Sequence, residues 1–524
     1  VAIGADAGQT GQGAQSVAIG QYAAQQGQGG STGGGVAIGF NAAGNSTQGS
    51  NSVAIGSQSG ANAQGEHSVA IGSSSGLYSQ GDRSVAIGPN AGMTGQGGIT
   101  GRAIAVGFQA GEYGQGEHSV AIGTEAGFTG QTAYSVAIGH YAGQIDQRNQ
   151  GVAIGNQAGK NVQGQYSVAI GTDAGESNQG EYSVAIGLQA GFTGQGNQSV
   201  AIGYEAGNTG QGQLSVGIGN QAGGEGQGEY SIAMGNFAGY FGQGEHSVAI
   251  GNNAGNTGQG ERSVAIGNNA GEISQGQYSL ALGYQAGESD QGQYSVAIGY
   301  EAGQQGQAVG ETGAVAIGYL AGTLDQGIAS VAIGCNAGLN RQGQYSVAIG
   351  PNAGVATQAN NSIVLNAQET SLDGETAGAL YIDPIREIGV TAQGDNLEGA
   401  TGVLRYNSNT KEIRYDTTSM TPTGAVMSYL GTSDPSGWVI CDGEGRTTQY
   451  EQYNSLVNMS IGYYSTSTGT TTYHPPDYKS AFMRGIGSRT VDGVGYSTSG
   501  DLGSPQAHQS EQHHHLYTNN YLPK

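Results

Sequence analysis

Ser263-Val264-Ala265-Ile266-Gly267-Asn268-Asn269-Ala270-Gly271 is the stretch that decides the fold. Its first five residues recur, with conservative changes, from Ser167, Ser183, Ser199, Ser215, Ser231, Ser247, Ser263, Ser279 and Ser295, each start 16 residues after the last. The same unit runs back to Val1 and forward to Leu365, with occasional longer steps such as Ser16 to Gly35. A repeat this short cannot enclose a core of its own. Each copy reads as one turn of a stacked β-coil, and residues 1–366 as an all-β shaft, a parallel β-roll or solenoid rod of 16-residue repeats.

If the pentapeptide is a strand, Val264 and Ile266 share one face while Ser263, Ala265 and Gly267 share the other. Both faces are apolar or small, so both should be covered. A thin coil covers only one. Burying a Val or an Ile stabilises by roughly 1.5–3 kcal/mol, against about 1–2 kcal/mol of backbone entropy for every residue ordered. So few aliphatic side chains do not balance a whole turn, and association must supply the rest. The expectation is an obligate homotrimer, three chains being the most economical arrangement around an axis. Val248, Ile250, Val264, Ile266, Val296 and Ile298 then belong to the trimer or roll core.

Glycines such as Gly267, Gly271 and Gly276 mark the corners. Before the last of these sits a recurrent glutamine: Gln195, Gln211, Gln227, Gln243, Gln259, Gln275 and Gln291. Stacked at about 4.8 Å, such amides form a hydrogen-bonded ladder that pins register in Gly-rich strands. A repeated glycan-binding row is the alternative reading. The residue before the serine is often aromatic or His, as at His67, His118, Tyr166, Tyr182, Tyr230, His246, Tyr278, Tyr294 and Tyr345. That stripe reads as packing at a subunit seam, or alternatively as rings offered to sugars.

Composition narrows the class. With 102 glycines among 524 residues and only 10% charged residues, the chain would read as disordered if it lacked a period. A net charge of −23 argues against nucleic acid or an anionic membrane surface as partner. No apolar run approaches the ~18–20 residues of a membrane span, and no secretory segment is visible. The chain opens on Val1-Ala2-Ile3-Gly4, inside a repeat, so an attachment segment is expected upstream. Two cysteines exclude a disulfide framework: Cys335 is expected to be an exposed free thiol and Cys441 a buried small hydrophobe.

The Ser-Val-Ala-Ile-Gly-x-x-Ala-Gly unit closely resembles the head repeats of trimeric autotransporter adhesins of the YadA type. The resemblance spans roughly Val1 to Asn366 and implies a left-handed parallel β-roll, three chains per head and adhesion to surfaces. The period here is longer than that family's usual repeat, so loop geometry does not carry over.

Beyond the repeats the composition changes. Residues 367–421 read as a β neck. Leu380-Tyr381-Ile382-Asp383 is a short strand stopped by Pro384, and Val403–Tyr406 with Glu412–Tyr415 forms a hairpin across Asn407-Ser408-Asn409-Thr410. The hairpin resembles segments of fibre-like proteins of large algal viruses. Residues 422–524 have a globular signature. The order Pro435-Ser436-Gly437-Trp438-Val439-Ile440-Cys441-Asp442-Gly443, then Pro476-Asp477 and Phe482-Met483-Arg484-Gly485, resembles the phage tail collar family over residues 422–490. That resemblance implies a trimeric fibre tip. Tyr473-His474-Pro475 departs from its pattern.

One cluster has metal-ligand chemistry: His508, His513, His514 and His515. On a strand, His513 and His515 share a face while His514 points away. Three such pairs around a threefold axis supply an octahedral set of imidazole nitrogens, suited to Fe, Ni or Zn. The collar resemblance implies the same placement, and a solvated polar tail is the alternative. Enzyme signatures are absent: Asp442, His474 and Asp477 lack a nucleophile elbow or an oxyanion device, so no catalysis is expected.

The function these features point to is a structural trimeric viral or phage-like fibre. It would stand on a virion surface, attached through its upstream end, and engage a host-surface receptor, a glycan among the candidates. A bacterial surface adhesin and an extracellular filament subunit are the alternatives. An autotransporter should end in a membrane-anchoring β-barrel segment, and Asn520-Tyr521-Leu522-Pro523-Lys524 carries no such pattern. Metal analysis of the purified protein is expected to find about one ion per three chains; a His513→Ala variant that keeps its full metal content would remove the site.

Overall fold

In a computed structural model, the description covers residues 1–384 apart from 31, 99, 309, 311 and 312, together with 403–407, 412–416, 463–467, 470–475, 488–491 and 494–497. The described residues form strands, bridges and turns, with no helix among them. The chain divides into two units, Val1–Glu387 and Ile388–Lys524.

The first unit is a parallel β-solenoid. Each Val-Ala-Ile triplet is a strand, and 24 strands stack into one continuous sheet. Neighbours pair in register, Val on Val, Ala on Ala and Ile on Ile, as between Val248–Ile250 and Val264–Ile266. At about 4.8 Å per rung the stack is on the order of 110 Å long. A second parallel ladder runs along another side of the coil. It consists of short strands such as Asn161–Gln163 and single bridges such as Thr257 to Ile273.

The interior is narrow. In one rung Ser263, Ala265, Ala270 and Gln275 all point inward, with exposures of 0–2%. Alanines make continuous columns through the coil. Val and Ile point outward and are only half covered, because each leans on its counterparts one rung above and below. This narrows one expectation, which gave these residues to the trimer or the roll core, to its first alternative. Val248, Ile250, Val264, Ile266, Val296 and Ile298 are not in the roll core, which belongs to the Ser and Ala face. The physical reason is width: a glutamine already crosses the interior, leaving room along most of the coil for the small side chains of Ala and Ser.

Tight corners make this small cross-section possible. Asn269, Gly271, Ser274 and Tyr278 all have φ between 53° and 57°, so one 16-residue turn carries four left-handed corners. Three of them are not glycine, and such positions cost roughly 1–2 kcal/mol each. At Gly267 the requirement is stricter. Its φ is +134°, and a Cβ there would lie 2.2 Å from the carbonyl oxygen of Gly283 in the next rung.

The coil reaches past the expected boundary at residue 366. Leu380–Asp383 pairs in parallel with Ile363–Asn366 and adds the last rung, so this strand belongs to the solenoid and not to a separate neck. Here Val364 replaces the interior alanine, and Leu372 and Tyr381 pack beside it. Asn366 takes the place of the corner glycine, and its amide donates to the Pro351 and Thr370 carbonyls at 2.9 and 2.7 Å.

In the second unit the expected hairpin is present, Val403–Asn407 antiparallel to Glu412–Asp416. Two further hairpins, Tyr463–Ser467 with Thr470–His474 and Ser488–Val491 with Val494–Ser497, were not anticipated from the sequence. Cys441, Trp438 and the histidines 508, 513, 514 and 515 lie outside the described residues, as does most of the collar-like stretch. Gly267→Ala is expected to lower the unfolding midpoint of the solenoid in chemical denaturation. Asn268→Ala, one residue on and exposed, should leave the midpoint within about 0.5 kcal/mol of the parent.

Candidate association and binding surfaces

Three sets of side chains recur along the coil and are candidates for function: the inner glutamines, the outer aliphatics and, on many turns, the corner rings. The seven glutamines Gln195, Gln211, Gln227, Gln243, Gln259, Gln275 and Gln291 are buried in register, with exposures of 1–2%. In all seven the side-chain Nε2 donates to the carbonyl 11 residues earlier, at 2.8–2.9 Å. The amide therefore ties the second ladder to the first strand of the same turn. It is a cross-brace.

The ladder between rungs is only partly closed. Gln211 donates to Gln227, and Gln275 to Gln291, both at 3.1 Å. From Gln275 the chain of amides continues through Gln291, Gln307 and Gln326 to Gln342 at 3.0–3.1 Å. At Gln195, Gln211, Gln259 and Gln275 the Oε1 atom is buried with no hydrogen-bond partner. Sequence reasoning found the row but missed the brace. The signal was available: the offset of 11 residues holds in the three 19-residue turns, from Val17 to Gln28, Val85 to Gln96 and Val296 to Gln307, and becomes 12 in the 17-residue turn from Val36 to Gln48.

Each of those longer turns places its extra residues after the glutamine. There the usual serine becomes Gly35, Ala103 or Ala314, and its N–H donates to the serine hydroxyl of the previous rung at 3.1–3.2 Å. These three insertions are thus absorbed at one corner, whereas the 17-residue turn that begins at Val36 takes its extra residue before Gln48, which donates to the Val36 carbonyl 12 residues earlier.

The outer aliphatics make two parallel columns along the sheet. Val264 and Ile266 are half-buried, and the outward residues Ile87, Ile122, Met234, Leu282, Ile333 and Ile349 are at least 36% exposed. Running the length of the rod, this is a larger apolar surface than a soluble single chain ordinarily shows water.

The corner rings stack. Tyr166 with Tyr182, Tyr230 with His246, and Tyr278 with Tyr294 lie 4.9–5.2 Å apart and within 13° of parallel. A second column after the corner glycine stacks Tyr284, Tyr300 and Tyr319. Rings stacked on one another cover their own faces, and sugars stack on ring faces. In these pairs each ring keeps one face against its partner, while Tyr294 and Tyr345 remain 57% and 60% exposed. Arg262 donates to the Tyr278 hydroxyl at 2.6 Å and lies over its ring. Cys335, free and exposed, sits one rung beyond Tyr319.

Charge follows the same columns. Burial, and then the Glu288 charge one rung away, push the Glu272 carboxyl above the usual carboxylate range. Hydrogen bonds to the adjacent Glu205 and Glu301 raise the phenols of Tyr204 and Tyr300. Among the described residues no group of three or more His, Cys, Asp or Glu side chains is placed to hold a metal ion, and no helix is long and apolar enough to cross a membrane.

Gln275→Leu should destabilise the coil by about 1–3 kcal/mol, the range for stranding a buried carbonyl. Hydrogen exchange would localise the effect, with faster exchange confined to the rungs that contain Val264 and Gln291.

Comparison with known proteins agrees with this geometry over part of the chain. No curated protein and no solved structure matches the chain. The YadA head domain repeat matches residues 48–75, 79–91 and 243–270, each of them within the solenoid.

Proposed function

We propose that this chain is a trimeric surface fibre whose solenoid is the shaft and whose residues 422–524 form a tip that engages a host surface. The observation that carries the reading is the outward Val and Ile face. Each half-exposed aliphatic gains about 1 kcal/mol on being covered. Over 24 rungs that gain outweighs the ~4–15 kcal/mol of freedom lost on association. The matches to the YadA head domain repeat support the same arrangement, since domains of that type are trimeric.

Placement on a virus or phage-like particle is the finer part of the proposal and rests on the collar-like residues 422–490. A bacterial surface adhesin is the second reading, and the YadA-type matches favour it. Imaging intact particles and cells with an antibody to the solenoid separates the two.

Solution mass measurement is expected to give three times the chain mass. The paired substitution Val264→Asp with Ile266→Asp should shift the species toward monomer, because neither side chain contributes to the coil interior. A parent protein that is a stable monomer would overturn the fibre architecture.

A further inference from the structure

At Gly224 a corner column of side chains is interrupted, and a cavity lies beside the interruption. The position after the buried Ala-Gly pair holds Phe192, Asn208, Gly224, Tyr240 and Asn256 in successive turns. Gly224 offers no side chain, and the Tyr240 ring leans over it, so that a Cβ there would lie 2.5 Å from the ring. Beside this notch is a cavity of about 190 Å³. Asn208 and Gly224 line it together with the Phe192 and Tyr240 rings and the Glu205 and Glu225 carboxylates.

The lining has an unbalanced charge. Among the described residues the ion pairs are Arg148 with Glu181 and Lys160 with Glu176, and neither involves the cavity. Glu205 is held in place by the Gln221 amide, which donates to its Oε2. Glu225 is exposed, and no side-chain hydrogen bond positions it. The Tyr240 phenol is pushed up by burial first and then by the Glu225 and Glu205 charges, as expected where negative potential is concentrated.

We propose that this cavity binds a guanidinium group, of the kind carried by an arginine on a partner protein or peptide. A planar cation matches the two features present together. It pairs with a carboxylate through parallel N–H bonds, and it stacks on an aromatic ring. An alkylammonium satisfies the charge but not the plane, and is more strongly hydrated. A bare divalent cation would use the oxygens of Glu205, Glu225, Asn208 and Gln189 but not the Phe192 and Tyr240 rings that also line the cavity. The cavity lies at the corner beyond the Val and Ile strand, so the apolar face is not needed for it. This goes beyond the fibre reading and stands whether the fibre is viral or bacterial.

The test titrates the full chain with N-acetyl-arginine amide, using N-acetyl-citrulline amide as the neutral isostere, followed by calorimetry and by tyrosine fluorescence. Saturable binding of the arginine compound is expected, weakening as salt is raised, with none for citrulline. Two variants localise it. Gly224→Asn restores the side chain that Asn208 and Asn256 carry and fills the notch, while Glu225→Gln removes one charge. Each should weaken binding by at least about tenfold, a loss of 1.4 kcal/mol; Gly224→Asn also has to displace the Tyr240 ring, so Glu225→Gln is the variant expected to leave the unfolding midpoint of the solenoid unchanged. Equal binding of arginine and citrulline, no saturable binding, or full binding by both variants would each overturn the proposal.

Discussion

The solenoid depends on one repeated hydrogen bond, from a glutamine amide to the strand carbonyl 11 residues before it. Gln275 to Val264, at 2.9 Å, is one instance. A turn built of glycine, alanine and serine has little apolar surface to collapse around. A polar side chain spanning the interior supplies what a hydrophobic core ordinarily would, a fixed distance between opposite walls. Inside a low-dielectric interior such a bond is strong, and the same environment makes the unpartnered Oε1 of Gln195 or Gln259 costly. The row is therefore a set of cross-braces first and an inter-rung ladder second.

That brace has an outward consequence. Because the interior along most of the coil accepts only the small side chains of Ala and Ser and one amide, the larger aliphatics are placed outside, where a single chain cannot cover them. The left-handed corners at Asn269 and Tyr278 add a cost that recurs along the coil, while the corner at Ser274 is relieved by glycine in turns such as those of Gly242 and Gly258. Narrowness and incompleteness are thus the same property seen from two sides. The YadA-type matches at residues 48–75 and 243–270 fall on turns with this construction.

Much of the fold was legible in the sequence because a period needs no knowledge of tertiary contacts. The 16-residue step gave the parallel coil, and the alternation in Ser-Val-Ala-Ile-Gly separated two faces. It did not say which face was inside. Hydrophobicity favours Val and Ile for the interior, and only the width of the closed turn decides for Ala265 and Ser263. The last rung at Leu380–Asp383 was hidden for a related reason: its residues have lost the consensus, and Pro384 made the strand look like the start of a neck. The cavity beside Gly224 was not legible at all. Its walls come from four turns, and a missing side chain in a Gly-rich chain carries no signal until its neighbours are seen.

Because the strand ladder stacks in register and most extra residues are shunted to the corner after the glutamine, the length of the rod and its cross-section are encoded separately. Duplicating or deleting one 16-residue copy changes the reach by a single rung and leaves every surface column continuous. A gene built this way can vary reach by whole copies, through the same recombination that tandem repeats invite. Length of the solenoid becomes a heritable trait that is counted rather than redesigned.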